Sequence, residues 1–164
     1  MKRFLTLLVL FSISLFYLLQ ALSQNLPAGL PEDIKDYKKW TRLNKKIISP
    51  RNADPHRGFK REYTNRLPNE LADSSKNLIF PFPEGTIVVK EVRATSKKNS
   101  KIVLISIMRK LSGNKNTGGW DFIEYTRSSS DNSFIPLQFP KESCYACHKG
   151  ASDSDSVWTK FDNF

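Results

Sequence analysis

The chain has 164 residues, 39% of them hydrophobic, which suffices for one domain core and is too short for two. Lysine and arginine outnumber aspartate and glutamate 26 to 16, a formal charge of +10. Aromatic residues are not interleaved with the basic ones in any nucleic-acid motif, so nucleic acid is excluded as partner; the charge suits an acidic redox partner or an anionic membrane surface, or merely solvates helix faces.

In chain order, the opening MKRFLTLLVLFSISLFYLLQALSQ sets Lys2 and Arg3 before an apolar run from Phe4 to Leu19 and small residues at Ala21 and Ser23. This is the pattern of a secretory signal peptide over residues 1–23, with cleavage after Ser23; left uncleaved, the same run is a membrane anchor. Residues 24–164 are then a single exported domain, periplasmic where the cell has a periplasm. After the linker NLPAGLP, the spacing predicts a helix from Pro31 to about Ile47. Proline stands in its first turn, Glu32, Asp33 and Asp36 near its start and Lys45 and Lys46 near its end, with Tyr37 and Trp40 on the docking face. SPRNADPHRGF reads as a loop.

Strand patterns follow. Phe59 to Arg66 is a short strand, Pro68 to Asn77 holds one helical turn, and Thr86 to Thr95, Lys101 to Leu111 and Gly119 to Arg127 are β-branched and aromatic segments parted by turn sequences. Short connections make them an antiparallel meander. Asp155 to Phe161 is a short terminal helix or extended tail. The expected fold class is α+β, a mostly antiparallel sheet with flanking N- and C-terminal helices.

The segment SCYACHKG, Ser143 to Gly150, holds both cysteines and one of the two histidines. Cys144, Cys147 and His148 form C-x-x-C-H, the attachment signature of haem c: two thiols at this spacing can each add to a haem vinyl group, and the adjacent imidazole becomes the proximal iron ligand. A Cys144–Cys147 disulfide would close a very small, strained loop. A thioredoxin-like redox pair wants an α/β context that is lacking here. Zinc wants a fourth ligand, and only His56 could join these three.

For the opposite side of the iron the mature chain offers Met108, on a strand with Leu104 and Ser106, and His56, in a polar loop. Met108 reads first as a core or pocket-wall residue and His56 as a loop histidine. No methionine follows His148, so an open distal position that binds a small molecule is favoured over the closed site of an electron-transfer cytochrome.

Through LPEDIKDYKKW, FKREYTN, FPEGTIVVKEV, GGWDFIEY, SCYACHKG and DSVWTKF, the sequence resembles the cytochrome P-460 family, which includes the β-sheet type of cytochrome c′. The resemblance implies one antiparallel β domain with the haem against the sheet, His148 as proximal ligand and an exchangeable distal position. In P-460 members a lysine is joined to the porphyrin ring, and by the match to GTIVVKE it corresponds to Lys90. Phe59 matches a position whose aromatic ring lies over the iron in relatives. Independently of the resemblance, Lys90 shares a strand face with Val88 and Val92, where burial would favour a neutral, nucleophilic amine unless its stem snorkels to solvent. Glu91 falls on the opposite face and is expected to be a surface charge. Trp120 and Phe122 read as core, and Glu124 as a weak proton-relay candidate.

Three functions follow. One is oxidation of hydroxylamine, which would make Lys90 and Glu124 catalytic residues. Another is binding of nitric oxide by a cytochrome c′-like protein, and the third is plain electron transfer. Dimers are common in the family, so a homodimer is also implied, though no stretch marks an interface.

Overall fold

The long middle strands bury consecutive residues rather than every second one, so both faces of the sheet need a cover. The computed structural model, which describes residues 26–159 together with 161 and 162, shows how both are covered. The expected signal or anchor over residues 1–23 lies outside the described residues.

The strands are β1 (Thr41–Arg42), β2 (Phe59–Thr64), β3 (Ile87–Arg93), β4 (Ile102–Lys110), β5 (Trp120–Arg127) and β6 (Phe134–Pro136). They form one antiparallel sheet in sequence order, β1 to β6. A four-residue helix, α1 (Pro68–Leu71), lies between β2 and β3, and α2 (Lys141–His148) follows the sheet. This is the expected α+β class. β6, which sequence periodicity did not single out, extends the meander by three residues.

One face of the sheet carries Tyr63, Val89, Ile105, Ile107 and Tyr125, closed over by Leu30, Ile34 and Tyr37 from the N-terminal segment. The Tyr37 and Tyr63 rings meet edge-on at 5.6 Å. The other face carries Val88, Met108, Trp120 and Phe122, and the C-terminal segment packs on it through Tyr145 and Val157. Each fully buried aliphatic or aromatic side chain here contributes about 1.5–3 kcal/mol of burial free energy. The sheet is thus the middle layer, and the parity of a residue decides which cover it meets.

The helix expected from Pro31 to Ile47 is two short 3-10 turns, Glu32–Ile34 and Tyr37–Lys39, separated by Asp36 at φ 59°. Its C-terminal part is claimed by the sheet: Thr41 and Arg42 pair with Thr64 and Tyr63. The apolar residues dock all the same, with Ile34 and Tyr37 buried. A bidentate pair from Arg109 to Asp33, at 2.6 and 2.9 Å, ties the first turn to β4.

The Arg109 hydrogen bond and charge hold the Asp33 carboxyl below its ordinary value of 3.8, against some desolvation. A depressed carboxylate contributes stability that is complete above the unfolded pKa and vanishes as pH falls through the folded one. Asp33→Asn should therefore lose under about 1 kcal/mol near neutrality, because the pair is partly exposed, and flatten the acid limb of stability below about pH 4. Urea midpoints against pH would check it; an unchanged acid limb would count against this tether.

Glu91 is not a surface charge. It is fully buried, its Oε2 accepts from Arg93 at 2.6 and 2.8 Å, and its Oε1 accepts from the Tyr37 hydroxyl at 2.8 Å. The face opposite Lys90 would have been solvated only if nothing covered it, and the N-terminal turns do.

Candidate functional site

On α2, Cys144, Cys147 and His148 stand at i, i+3 and i+4, so helical spacing gathers both thiols and the imidazole on neighbouring positions of one side. Cys144 is half-buried and Cys147 exposed, and both are free thiols. Burial, and then the Glu124 carboxylate, push the Cys144 thiol above its ordinary pKa. The helix can lie close to the sheet because Gly118, at φ 65°, carries no side chain: a Cβ there would sit 2.8 Å from the Tyr145 ring.

His148 ends α2 and is buried. Two left-handed residues, Asp155 at φ 49° and Ser156 at φ 68°, turn the chain back so that the Ser156 carbonyl accepts from His148 Nδ1 at 2.7 Å. That bond fixes the tautomer and leaves Nε2 with its lone pair. The Phe122 ring packs 5.0 Å from the imidazole. Burial, helped by the Lys90 charge, pushes His148 down to about 4, so it is neutral at physiological pH, the form that binds a metal.

The returning loop is held by Asp155. Its carboxylate takes Lys110 Nζ at 2.6 Å and the Phe82 N–H at 2.9 Å, and its carbonyl takes Trp120 Nε1 at 2.8 Å. Lys110 and Asp155 are only 14% and 11% exposed, so Asp155→Ala leaves a buried ammonium without its counter-charge. A loss of about 3 kcal/mol is expected, measured by urea denaturation, while Asp155→Asn, which tolerates the left-handed backbone, should lose less.

Facing His148 on the sheet is a narrow groove lined by Glu62, Val88, Lys90, Ser106 and Met108 and rimmed by Val157, Trp158 and Thr159. Register explains its lining. Lys90 of β3 pairs with Glu62 of β2 and with Ser106 of β4, and Ser106 pairs with Glu124 of β5. Four polar side chains therefore form a row across four strands on the face that α2 covers.

Of the sequence candidates, the structure brings Lys90 and His148 into one groove and sets Cys144 and Cys147 on the helix above it. Glu124 is buried and paired with His56 Nε2. Burial raises its pKa, but the hydrogen bond and charge of His56, with Lys90 and Ser106 behind them, hold it below the ordinary value. His56 is thereby taken up by a carboxylate, and Met108 packs with Val88 and Phe122 while lining the groove. Phe59 pairs with Arg93, in phase with Arg61 and Tyr63, on the sheet face away from Lys90 and outside the groove.

The residues present fit a haem. Among the described residues no group of three or more His, Cys, Asp or Glu could hold a metal ion by itself. A porphyrin brings its own in-plane nitrogens, however, so one neutral imidazole at the wall of the groove is the protein donor it requires. Two thiols one helical turn apart beside that imidazole would supply the two covalent anchors. The sequence model of the family described as Cytochrome P460 matches residues 34–159. The chain belongs to the cytochrome P460 family. No curated protein sequence matches the chain. Membership in the P460 family carries the expectation of a haem cofactor, and the matched residues span the sheet, the groove and the C-x-x-C-H helix. Among the described residues no helix is long and apolar enough to cross a membrane.

Sequence reasoning missed Glu62, Thr159, Asp155 and Ser156. Glu62 follows the same two-residue alternation as Lys60 and Thr64 and could have been placed on the groove face from periodicity once β2 was known. Asp155 and Ser156 lie in a polar run, SDSDS, that carries no sign of left-handed geometry.

Proposed function

We propose that this P460-family protein is an exported mono-haem c-type cytochrome whose iron, held by His148, offers an open position to a small nitrogen-oxide-type ligand. The observation that carries it is the joint placement of Lys90 and a neutral, carbonyl-oriented His148 in one groove beneath the cysteine helix. Cys144 and Cys147 would hold the haem, each by adding its S–H across a vinyl double bond, an addition that releases nothing and needs no oxidant. His148 supplies Nε2, and Ser156 keeps that nitrogen deprotonated. When bound, the haem supplies a redox-active iron able to ligate hydroxylamine or nitric oxide.

Met108 and His56 are poor sixth ligands in this arrangement, Met108 because it fills the core with Val88 and Phe122, His56 because Glu124 holds it. Lys90 divides two versions of the function. A bond from its amine to the ring, as in P-460 members, assigns hydroxylamine oxidation, with Glu124 and His56 available to take protons. A free Lys90 assigns nitric oxide binding or scavenging. The basic surface suits an acidic electron partner, and the chain can act as a homodimer.

The test is an optical spectrum of the purified ferrous protein with mass spectrometry of its haem peptides. The expected spectrum is five-coordinate and changes on adding nitric oxide. A low-spin, six-coordinate iron would overturn the open site in favour of electron transfer. Haem peptides containing Lys90 as a further attachment would assign the oxidase.

A further inference from the structure

We propose that Lys110 and Asp155 are positioning residues for the iron: together they clamp the left-handed turn that aims the Ser156 carbonyl at His148, and so set how strongly His148 binds the iron and the potential at which that iron is reduced. The inference rests on the haem reading above and adds to it the part of the chain that tunes the haem.

Asp155 and Ser156 are consecutive residues in the left-handed region, at φ 49° and 68°, and neither is glycine. A side chain in that region crowds its own carbonyl, so two in succession persist only where the surroundings hold them. A turn needed for chain reversal alone would lose this strain with glycine at position 155. The sequence keeps an aspartate there, and its carboxylate is what the clamp grips.

The hold comes from outside the turn. Asp155 Oδ1 accepts from Lys110 Nζ of β4 at 2.6 Å, Oδ2 accepts from the Phe82 N–H at 2.9 Å, and the Asp155 carbonyl accepts from Trp120 Nε1 of β5 at 2.8 Å. Lys110 and Trp120 are cross-strand partners, so the sheet register brings both donors to one spot. Lys110 is itself fixed: its Nζ also donates to the Gly118 carbonyl at 3.1 Å and lies 4.9 Å from the centre of the Trp120 ring.

On the other side of the turn the Ser156 N–H donates to the Ala151 carbonyl at 2.8 Å. Ser156 is thus gripped on both sides, and its own carbonyl is left to meet His148 Nδ1 at 2.7 Å. An imidazole whose Nδ1–H is held by a carbonyl donates more strongly through Nε2. A stronger donor favours ferric over ferrous iron and so lowers the reduction potential, while a loosened turn raises it.

The experiment measures the reduction potential of the holoprotein by redox titration and the iron–histidine stretching frequency of its ferrous form by resonance Raman, in wild type, Asp155→Asn, Lys110→Met and the two combined. Asp155→Asn removes a negative charge, Lys110→Met removes a positive one, and the double variant leaves the net charge unchanged. All three should raise the potential, by about fivefold in the ferrous-to-ferric ratio at a fixed electrode setting, the worth of one ordinary hydrogen bond, and all three should lower the stretching frequency. A pair that acted through charge alone would move the potential in opposite directions in the two single variants and leave it in place in the double variant. That result, or a frequency unmoved in all three, overturns the inference. A six-coordinate iron, which overturns the open site, leaves the pattern of potentials to decide. Wild-type protein that carries no haem overturns the haem reading itself, and this inference with it. Lys110→Met strands a buried carboxylate; if it does not fold, the double variant, which strands neither charge, decides, a raised potential supporting the inference and an unmoved one overturning it.

Discussion

Replacing Cys144 and Cys147 together by alanine should yield a folded protein that carries no thioether-bound haem. The loss is expected to be complete, because the thioethers have no other source: the chain contains no further cysteine. The fold should survive. α2 is anchored by His148 on Ser156 and by Tyr145 over Gly118, and these contacts do not use the thiols. Haem staining after denaturing electrophoresis, with intact mass, reads the attachment, and circular dichroism reads the fold. Each single variant should keep one thioether. Covalent haem in the double variant through any residue other than Lys90 would sink the assignment of the motif.

How much of this was visible in the sequence depends on how local the cause is. C-x-x-C-H is local, and so is the alternation that set Lys90 on one face of β3. Both were legible because helix and strand periods are fixed by the backbone. Glu91 was misjudged for the same reason that Lys90 was not: parity says which face a residue occupies, never what covers that face. The cover comes from Tyr37, 54 positions earlier in the chain.

The expected N-terminal helix failed through competition. Its pattern of acids, prolines and docking aromatics was real, yet Thr41 and Arg42 gain cross-strand partners in β1 that a helix would forfeit. The docking face of Ile34 and Tyr37 was right while its backbone was not. Glu62, Ser106 and Glu124 are separated by 44 and 18 positions, and only the register of β2 to β5 lines them up with Lys90. Register is a tertiary property, so the polar row could not be read from spacing.

Glu91→Ala should be the most destabilising single substitution on the face away from the groove, by about 3–5 kcal/mol. It removes the carboxylate from a buried ion pair and strands the Arg93 guanidinium, which is 8% exposed. Arg93 keeps two carbonyl partners, Ser100 at 2.8 Å and Lys98 at 3.3 Å, which places the loss toward the lower end. For a domain of this size such a loss lowers Tm by roughly 10 °C. Tyr37→Phe removes one hydrogen bond to the same carboxylate and should cost about 1 kcal/mol, and the pair should be strongly non-additive, because without Glu91 the Tyr37 hydroxyl has already lost its acceptor. A double-mutant cycle in urea tests this. Additive effects would mean that the N-terminal turns are held by Ile34 and the ring contacts alone. Coupling would mean that the buried carboxylate is the polar pin joining the N-terminal cover to the strand that, on its other face, presents Lys90 to the groove.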